Sequence, residues 1–153
     1  MACLVLLADI ETMTKIIHVS SKDAFNKEVI LQSDKQPVLV DFWADWCGPC
    51  KAMNPVFKAY AEKHPEIRVV KVDVENDGGI AEHYDISSIP TMMLFMDRGP
   101  RNRMIGAKNY GALELEIEKS VERWNKQSGK KAKTQEPSVQ ERKGLKKIFG
   151  RGH

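Results

Sequence analysis

Two cysteines separated by two residues carry the clearest chemical signal in this sequence. Cys47 and Cys50 lie in the string WCGPC, directly after the apolar run PVLVDFW (37–43). That run is apolar at almost every position, which is typical of a central strand of a parallel sheet. The pair therefore lies where a strand turns into a helix. This is the carboxyl end of the strands of an α/β sheet, where ligands and chemistry are usually found.

The start of that helix predicts different roles for the two thiols. At a helix N-terminus, free N–H groups and the helix dipole lower the pKa of the Cys47 thiol from its free value of about 8.5 toward neutrality. Cys50 lies one turn further along the same face, and this spacing lets the two sulfurs bond when oxidised. Pro49 between them has no N–H and limits the flexibility of the small ring. We expect Cys47 to be exposed and nucleophilic, and Cys50 to be buried and to resolve.

Two charged residues lie inside apolar runs of the sequence. Asp41 belongs to the run 37–43, and Lys71 belongs to a second run, IRVVKVDV (67–74). Burial raises the pKa of a carboxyl group, and a carboxylate beneath Cys50 could take the proton of that thiol and return it. If the two strands are neighbours, Lys71 is the cation that makes the buried carboxylate tolerable. The alternative is a structural ion pair without a catalytic role.

Alternating strand-like and helix-like segments position these residues. Apolar patterns predict strands at 16–19, 37–43, 67–74, 91–96 and near 101–105. Helices are predicted after Ser20, after the cysteines, around GGIAEHYD and along the stripe Leu113, Ile117, Val121 and Trp124. The order βαβαβαββα predicts an α/β fold with a central mixed five-stranded sheet, which is parallel at first, ends in a hairpin and has helices on both faces.

Local signals set the bounds of two of these helices. Ser20 and Asp23 have the spacing of a capping box, which predicts that Ser20 caps the first helix. The helix after the cysteines should end before Pro65, because a proline disfavours the helical conformation in the residue that precedes it.

Charge divides the chain into a domain and a tail. The 153 residues carry a net charge of +3, with 42% hydrophobic and 29% charged residues, as in soluble globular proteins. From Ser128 onward eight basic and two acidic residues give a net charge of +6, which leaves −3 for the rest. We predict one domain at 13–127 and a basic, disordered tail at 128–153.

The tail also allows a second interpretation. Leu145, Ile148 and Phe149 could form the apolar side of a short basic helix that lies on an anionic surface. The apolar face is small, so a solvated disordered tail is favoured. Nucleic acid is not an expected partner, because the tail has one aromatic residue and no recognisable reading motif.

The first twelve residues stand apart from the pattern that follows. They are largely apolar but lack the basic leading segment and the cleavage site of a signal peptide. We interpret 1–12 as an N-terminal extension, either upstream of a natural start at Met13 or as a short ordered arm. It contains Cys3, the third cysteine, for which no partner is evident.

Two strings of the sequence resemble the thioredoxin family. VDFWADWCGPCK (40–51) is similar to its active-site segment, and SSIPTMMLF (87–95) is similar to its cis-proline segment. The resemblance extends from about Lys15 to Asn125. A C-x-x-C spacing by itself is weak evidence, but the full WCGPC string between a strand and a helix, with Ile-Pro-Thr downstream, is highly specific.

The resemblance implies a role for each residue of the site. Cys47 would be the attacking thiolate and Cys50 the resolving thiol, joined in a redox disulfide when oxidised. Asp41 would be the buried acid and base, with Lys71 beside it. The substrate-binding residues would be Trp43, Trp46, Gly48, Pro49, Ile89, Pro90 and Gly106. Pro90 would follow a cis peptide bond, and Ile89 would offer backbone hydrogen bonds to an extended substrate.

The implied function is a cytoplasmic, monomeric protein-disulfide reductase without a bound cofactor. Its partners would be disulfide-containing proteins and an NADPH-dependent thioredoxin reductase as electron donor. The Gly-Pro pair between the cysteines favours reduction over a second possibility, an oxidant or isomerase of the same fold. A third is a thioredoxin domain that serves as a binding subunit.

A metal site is not expected from the sequence. A structural zinc site needs four Cys or His ligands, and only one C-x-x-C is present. The four histidines lack ligand spacing, at His18, His64, His83 and His153.

Overall fold

Five strands form one mixed sheet within residues 16–129, the part of the chain that the computed structural model describes. In chain order they are β1 (Ile17–Val19), β2 (Val38–Trp43), β3 (Arg68–Asp73), β4 (Thr91–Met96) and β5 (Gly99–Ile105). Their order across the sheet is β1-β3-β2-β4-β5, in which β3 is parallel to β1 and β2, and β4 is antiparallel to β2 and β5. The predicted mixed five-stranded sheet with a final hairpin is confirmed.

Helices cover both faces of this sheet and complete the predicted order βαβαβαββα. They are α1 (Lys22–Phe25), α2 (Gly48–Lys63), α3 (Ile80–His83) and α4 (Tyr110–Ser128). A π-helical turn at Asn26–Ile30 and a 3₁₀ turn at Gln32–Asp34 extend α1 toward β2. Within residues 16–129, no helix combines the length and the apolar character that crossing a membrane requires.

The cap of α1 differs from the prediction by one residue. Ser21, not Ser20, is the N-cap: its backbone is extended and its side-chain oxygen accepts a hydrogen bond from the N–H of Ala24 at 3.1 Å. This hydrogen bond satisfies one of the free N–H groups of the first turn of the helix. The Ser20–Asp23 signal was wrong because adjacent serines offer two registers, and the backbone turns into the helix at the second.

Two apolar cores lie on opposite faces of the sheet. The α2–α4 core packs Leu39 of β2 against Met53, Phe57 and Leu113, whereas the α1–α3 core packs Val40 of β2 against α1, its π-helical extension and α3. Side chains alternate along a strand, so Asp41 and Trp43 share the face of Leu39. The buried carboxyl group of β2 therefore lies on the side of the sheet that α2 covers.

The predicted end of α2 is confirmed, since the helix stops at Lys63, and His64 caps it directly before Pro65. At the other end of the domain, α4 stops at Ser128, and Gly129 takes the left-handed conformation that often follows a helix. The extension 1–12 and the tail beyond Gly129 lie outside the described residues, so their interpretations stay predictions.

Candidate active site

The two cysteines lie at the junction of β2 and α2, as predicted. Cys47 is the N-cap of α2, and its Sγ accepts a hydrogen bond from the backbone N–H of Cys50 at 3.2 Å. Their sulfurs are bonded to each other. Because an N–H donor and the positive end of the helix dipole both favour a negative sulfur, this position stabilises the Cys47 thiolate when the disulfide opens.

The predicted exposure of Cys47 is wrong for the oxidised state. Cys47 is 5% exposed and Cys50 is 1% exposed, so both are buried. The disulfide covers one side of the Cys47 sulfur, and the carbonyl oxygen of Ile89 lies 3.8 Å from it on another. Cys47 is still the more exposed of the two residues.

Asp41 is completely buried in the middle of β2. It pairs in register with Lys71 on the parallel strand β3, and the Lys71 Nζ lies 3.6 Å from its Oδ2. Within residues 16–129 neither carboxyl oxygen has a hydrogen-bond partner. Burial raises the pKa of Asp41 to about 7, and the nearby charge of Lys71 opposes that rise only in part.

Lys71 is also where the sequence predicted it, beside Asp41, but its hydrogen bond goes elsewhere. Nζ donates to Oδ1 of Asn54 on α2 and lies over the rings of Trp43 at 4.9 Å and Phe57 at 5.7 Å. Asn54 was not among the residues predicted from the sequence. No spacing signal could reveal it, because the contact depends on how α2 packs across β3.

The segment around Pro90 meets the end of β5 beside the cysteines. The Ile89–Pro90 peptide bond is cis, as the resemblance implied. The carbonyl of Pro90 accepts a hydrogen bond from the N–H of Gly106 at 2.9 Å, and Gly106 has a φ of +87°. Glycine adopts that left-handed conformation without steric cost, which explains this residue type at the turn after β5.

An exposed tryptophan, Trp46, lies next to Cys47 in the chain. Trp46 is 68% exposed, and its indole N–H donates to Oε1 of Glu75 at 2.7 Å. A shallow depression of about 200 Å³ lies here, lined by Trp46, Val74, Ile86, Ser87, Ser88 and Ile89. Glu75 was not predicted from the sequence, because it follows β3 and meets Trp46 only in the folded chain.

The structure brings most of the predicted site residues to one end of the sheet. Gly48 and Pro49 form the first turn of α2, and the carbonyl of Ile89 lies beside Cys47. Trp43 lies deeper, between the Lys71 ammonium and the ring of His18, and its indole N–H is buried without a hydrogen-bond partner among residues 16–129. Trp43 is therefore a packing neighbour of Lys71, and its predicted contact with substrate stays a prediction.

A disulfide with one sulfur that accepts an N–H bond at a helix N-terminus is suited to reversible exchange with other thiols. Together with this fold, such a disulfide identifies the protein as a thiol–disulfide oxidoreductase. Residues 16–119 match the family model described as Thioredoxin. The chain belongs to the thioredoxin family, and its activity is dithiol–disulfide exchange.

Individual relatives agree with this assignment. A thioredoxin of Mycolicibacterium smegmatis is 46% identical over 98 residues, which cover 62% of this chain and 86% of that protein. A bifunctional thioredoxin reductase/thioredoxin of Mycobacterium leprae is 43% identical over 97 residues, which cover 63% of this chain and 21% of that protein. The solved structure of a mutant thioredoxin from Halobacterium salinarum matches with a TM-score of 0.63 and 30% identity, over 70% of this chain and 91% of that chain.

Proposed function

We propose that this protein reduces disulfide bonds in other proteins, with Cys47 as the nucleophile and Cys50 as the resolving thiol. The supporting observation is the position of the Cys47 sulfur at the N-cap of α2, where the Cys50 N–H donates to it. A thiolate attacks a disulfide more readily than a thiol does, so the sulfur whose charge is stabilised attacks first.

The exchange proceeds in two balanced steps. The Cys47 thiolate attacks one sulfur of the substrate disulfide, the substrate S–S bond breaks, and a mixed disulfide forms while the first substrate thiolate leaves. The Cys50 thiol then loses its proton and attacks the Cys47 sulfur. The Cys47–Cys50 bond forms, the mixed disulfide breaks, and the second substrate thiolate leaves and takes up a proton.

We assign the proton of Cys50 to Asp41 in the second step. A pKa of about 7 lets this buried carboxyl group both accept and release a proton near neutral pH. Lys71 stabilises the charged form from the paired position on β3. A purely structural ion pair is the competing interpretation, and an Asp41→Asn variant with unchanged resolution kinetics would support it.

Substrate contacts are proposed for the surface around the disulfide. Trp46 and Ile89 line the depression beside it, and the turn at Gly106 adjoins Pro90. The carbonyl oxygen of Ile89 lies next to the Cys47 sulfur, which supports pairing of the Ile89 main chain with an extended substrate segment. Gly48 and Pro49 complete this surface at the first turn of α2.

We propose an NADPH-dependent thioredoxin reductase as the electron donor. The relative from Mycobacterium leprae carries both names in one chain, which supports a pairing of the two activities. A reductase of this kind works in a reducing compartment, so we propose a cytoplasmic location. We also propose that the protein acts as a monomer.

The experiment is insulin reduction with NADPH and a thioredoxin reductase, in which the rate of NADPH consumption measures turnover. Wild-type protein should support turnover, and a Cys47→Ser/Cys50→Ser double variant should not. Equilibration with glutathione separates reductase from oxidant: thioredoxin has a potential of about −270 mV, and protein disulfide isomerase about −180 mV. No insulin reduction, or a potential near the isomerase value, would contradict the proposal.

A further inference from the structure

The Lys71 ammonium is enclosed by groups from two strands and one helix. Lys71 is 5% exposed. Its Nζ lies 3.6 Å from the Asp41 carboxylate, donates a hydrogen bond to Asn54, and lies over the rings of Trp43 and Phe57 at 4.9 and 5.7 Å. Its place relative to Asp41 is therefore determined by several contacts rather than by the carboxylate alone.

The hydrogen bond of this ammonium group goes to the amide and not to the acid. A lysine ammonium has three donors, and a bond to a carboxylate is normally preferred because it is charge-assisted. Here the Lys71 Nζ stands at ion-pair distance from Asp41, and neither oxygen of Asp41 has a hydrogen-bond partner among the described residues. The Oδ1 of Asn54 takes the bond instead.

Asn54 belongs to the helix that carries the resolving cysteine. Cys50, Asn54 and Phe57 are spaced i, i+4 and i+7 along α2, so they share one stripe of the helix. Phe57 is buried against the sheet. Asn54 is exposed, but its side-chain oxygen accepts the hydrogen bond from the buried Lys71. One side chain thus links the redox helix to the cation beside Asp41.

Other groups around Asp41 leave Lys71 as the relevant charge. On β4 the residue paired with Asp41 is Met92. The helices α2 and α4 cover this face of the sheet with apolar side chains, among them Met53, Leu113 and Ile117. Cys50 of α2, bonded to Cys47 here, is the thiol whose proton the proposed mechanism assigns to Asp41.

We infer that Asn54 is a positioning residue of this acid–base centre: its amide oxygen holds the Lys71 ammonium at ion-pair distance from Asp41 and prevents a direct hydrogen bond between them. The inference rests on the proposed role of Asp41. A directly bonded Lys71 would keep Asp41 ionised, and the carboxylate would return its proton poorly. With Lys71 held back, Asp41 exchanges a proton closer to neutral pH.

The test is a carbon-13 NMR titration of the Asp41 side-chain carboxyl group in full-length protein. Asn54→Leu removes the acceptor at similar size, and Asn54→Ala removes it without added bulk. Both should lower the titration midpoint of Asp41, by about one pH unit, because Lys71 then bonds to the carboxylate. Asn54→Asp keeps an acceptor oxygen and adds negative charge, so its midpoint should equal or exceed that of the wild type.

The matched control is Ala59→Leu, which adds the same side chain at another exposed position of α2. It should leave the midpoint unchanged. An unchanged or raised midpoint in Asn54→Leu, or a lowered midpoint in Asn54→Asp, would overturn the inference.

Resolution kinetics separate this inference from the proposed function. The rate at which Cys50 releases a mixed disulfide should shift its pH dependence in parallel with the Asp41 midpoint in Asn54→Leu. If the midpoint falls but the rate profile does not move, Asn54 positions Lys71 as inferred, and the assignment of the Cys50 proton to Asp41 is wrong. If neither moves, the inference about Asn54 fails while the role of Asp41 stands.

Discussion

Asp41 on β2 and Lys71 on β3 occupy paired positions of two parallel strands, and their charged groups lie 3.6 Å apart. The contact is an ion pair without a hydrogen bond, because both oxygens of Asp41 are without a hydrogen-bond partner among residues 16–129. Burial has the largest effect on the pKa of this carboxyl group and raises it. The fold therefore keeps, next to its redox helix, an acid that costs stability when it ionises.

The first prediction concerns that cost. The pKa of Asp41 is about 7 in the folded protein against an ordinary value of 3.8, so the folded state binds the proton more tightly than the unfolded state. Ionisation therefore lowers the free energy of unfolding progressively as pH rises between these values. The full loss above pH 7 is on the order of 4 kcal/mol.

Asp41→Asn should remove this loss, and the variant should be more stable than the wild type at pH 8 but not at pH 4. Urea denaturation across this range measures the difference. Asp45→Asn, at an exposed position of the next loop, is the control. A constant stability difference between Asp41→Asn and wild type at all pH values would contradict the account.

The second prediction distinguishes two adjacent serines. Ser21→Ala should lower the free energy of unfolding by about 1 kcal/mol, because the N–H of Ala24 loses its acceptor. Ser20→Ala should have little effect, since Ser20 is not the cap. Chemical denaturation of both variants makes the comparison, and an equal or larger loss in Ser20→Ala would mean that the helix starts one residue earlier.

The third prediction concerns the far end of α2. Glu114 Oε1 accepts hydrogen bonds from His64, Lys63 and Tyr110, and the bonds from His64 and Lys63 do most to lower its pKa to about 2. Burial acts to lower the pKa of His64, but its bonds to Glu114 and Glu66 outweigh burial and raise it.

The raised His64 pKa stabilises the fold below about pH 6.5, and this contribution is lost as pH rises through the folded value. Glu114→Gln should lower the His64 pKa, as read from its ring resonances by NMR. Glu62→Gln, an exposed residue of the same helix, should not. An unshifted His64 in Glu114→Gln would show that the contact contributes nothing in solution.

The fourth prediction uses two glycines near the disulfide. Gly106→Ala should lower the free energy of unfolding by about 1–2 kcal/mol, because its φ of +87° forces a side chain into the left-handed region. Gly48→Ala should keep or raise stability, because Gly48 lies in the first turn of α2 with nothing within 4 Å of the added methyl group. Equal changes in stability for Gly106→Ala and Gly48→Ala in thermal denaturation would argue against backbone conformation as the cause of the loss.

Local patterns were sufficient to predict the order of the strands and helices and the position of the cysteine pair. Strand periodicity, the WCGPC string and Pro65 each act over a few residues, so the sequence shows them directly. The contacts of Asn54 with Lys71 and of Glu75 with Trp46 join residues 17 and 29 positions apart. Such contacts depend on how a helix or loop packs across the sheet.

The prediction that Cys47 is exposed was wrong for a related reason. A helix N-terminus predicts solvent contact, but the Cys50 sulfur and the Ile89 carbonyl cover Cys47 in the folded, oxidised chain. The second of these comes from a segment 42 residues away. Ile89 could be placed at the site only through the family resemblance, since its own neighbourhood carries no local signal of that contact.

The most direct test of the central claim is to trap the mixed disulfide by mass spectrometry. Reduced Cys50→Ser and Cys47→Ser variants would be incubated with a disulfide-containing protein such as insulin. We predict that Cys50→Ser accumulates a stable adduct through Cys47, because attack survives and resolution does not, and that Cys47→Ser forms little adduct and has no reductase activity. Adduct accumulation on Cys47→Ser instead, or full turnover by Cys50→Ser, would contradict the assignment of Cys47 as nucleophile.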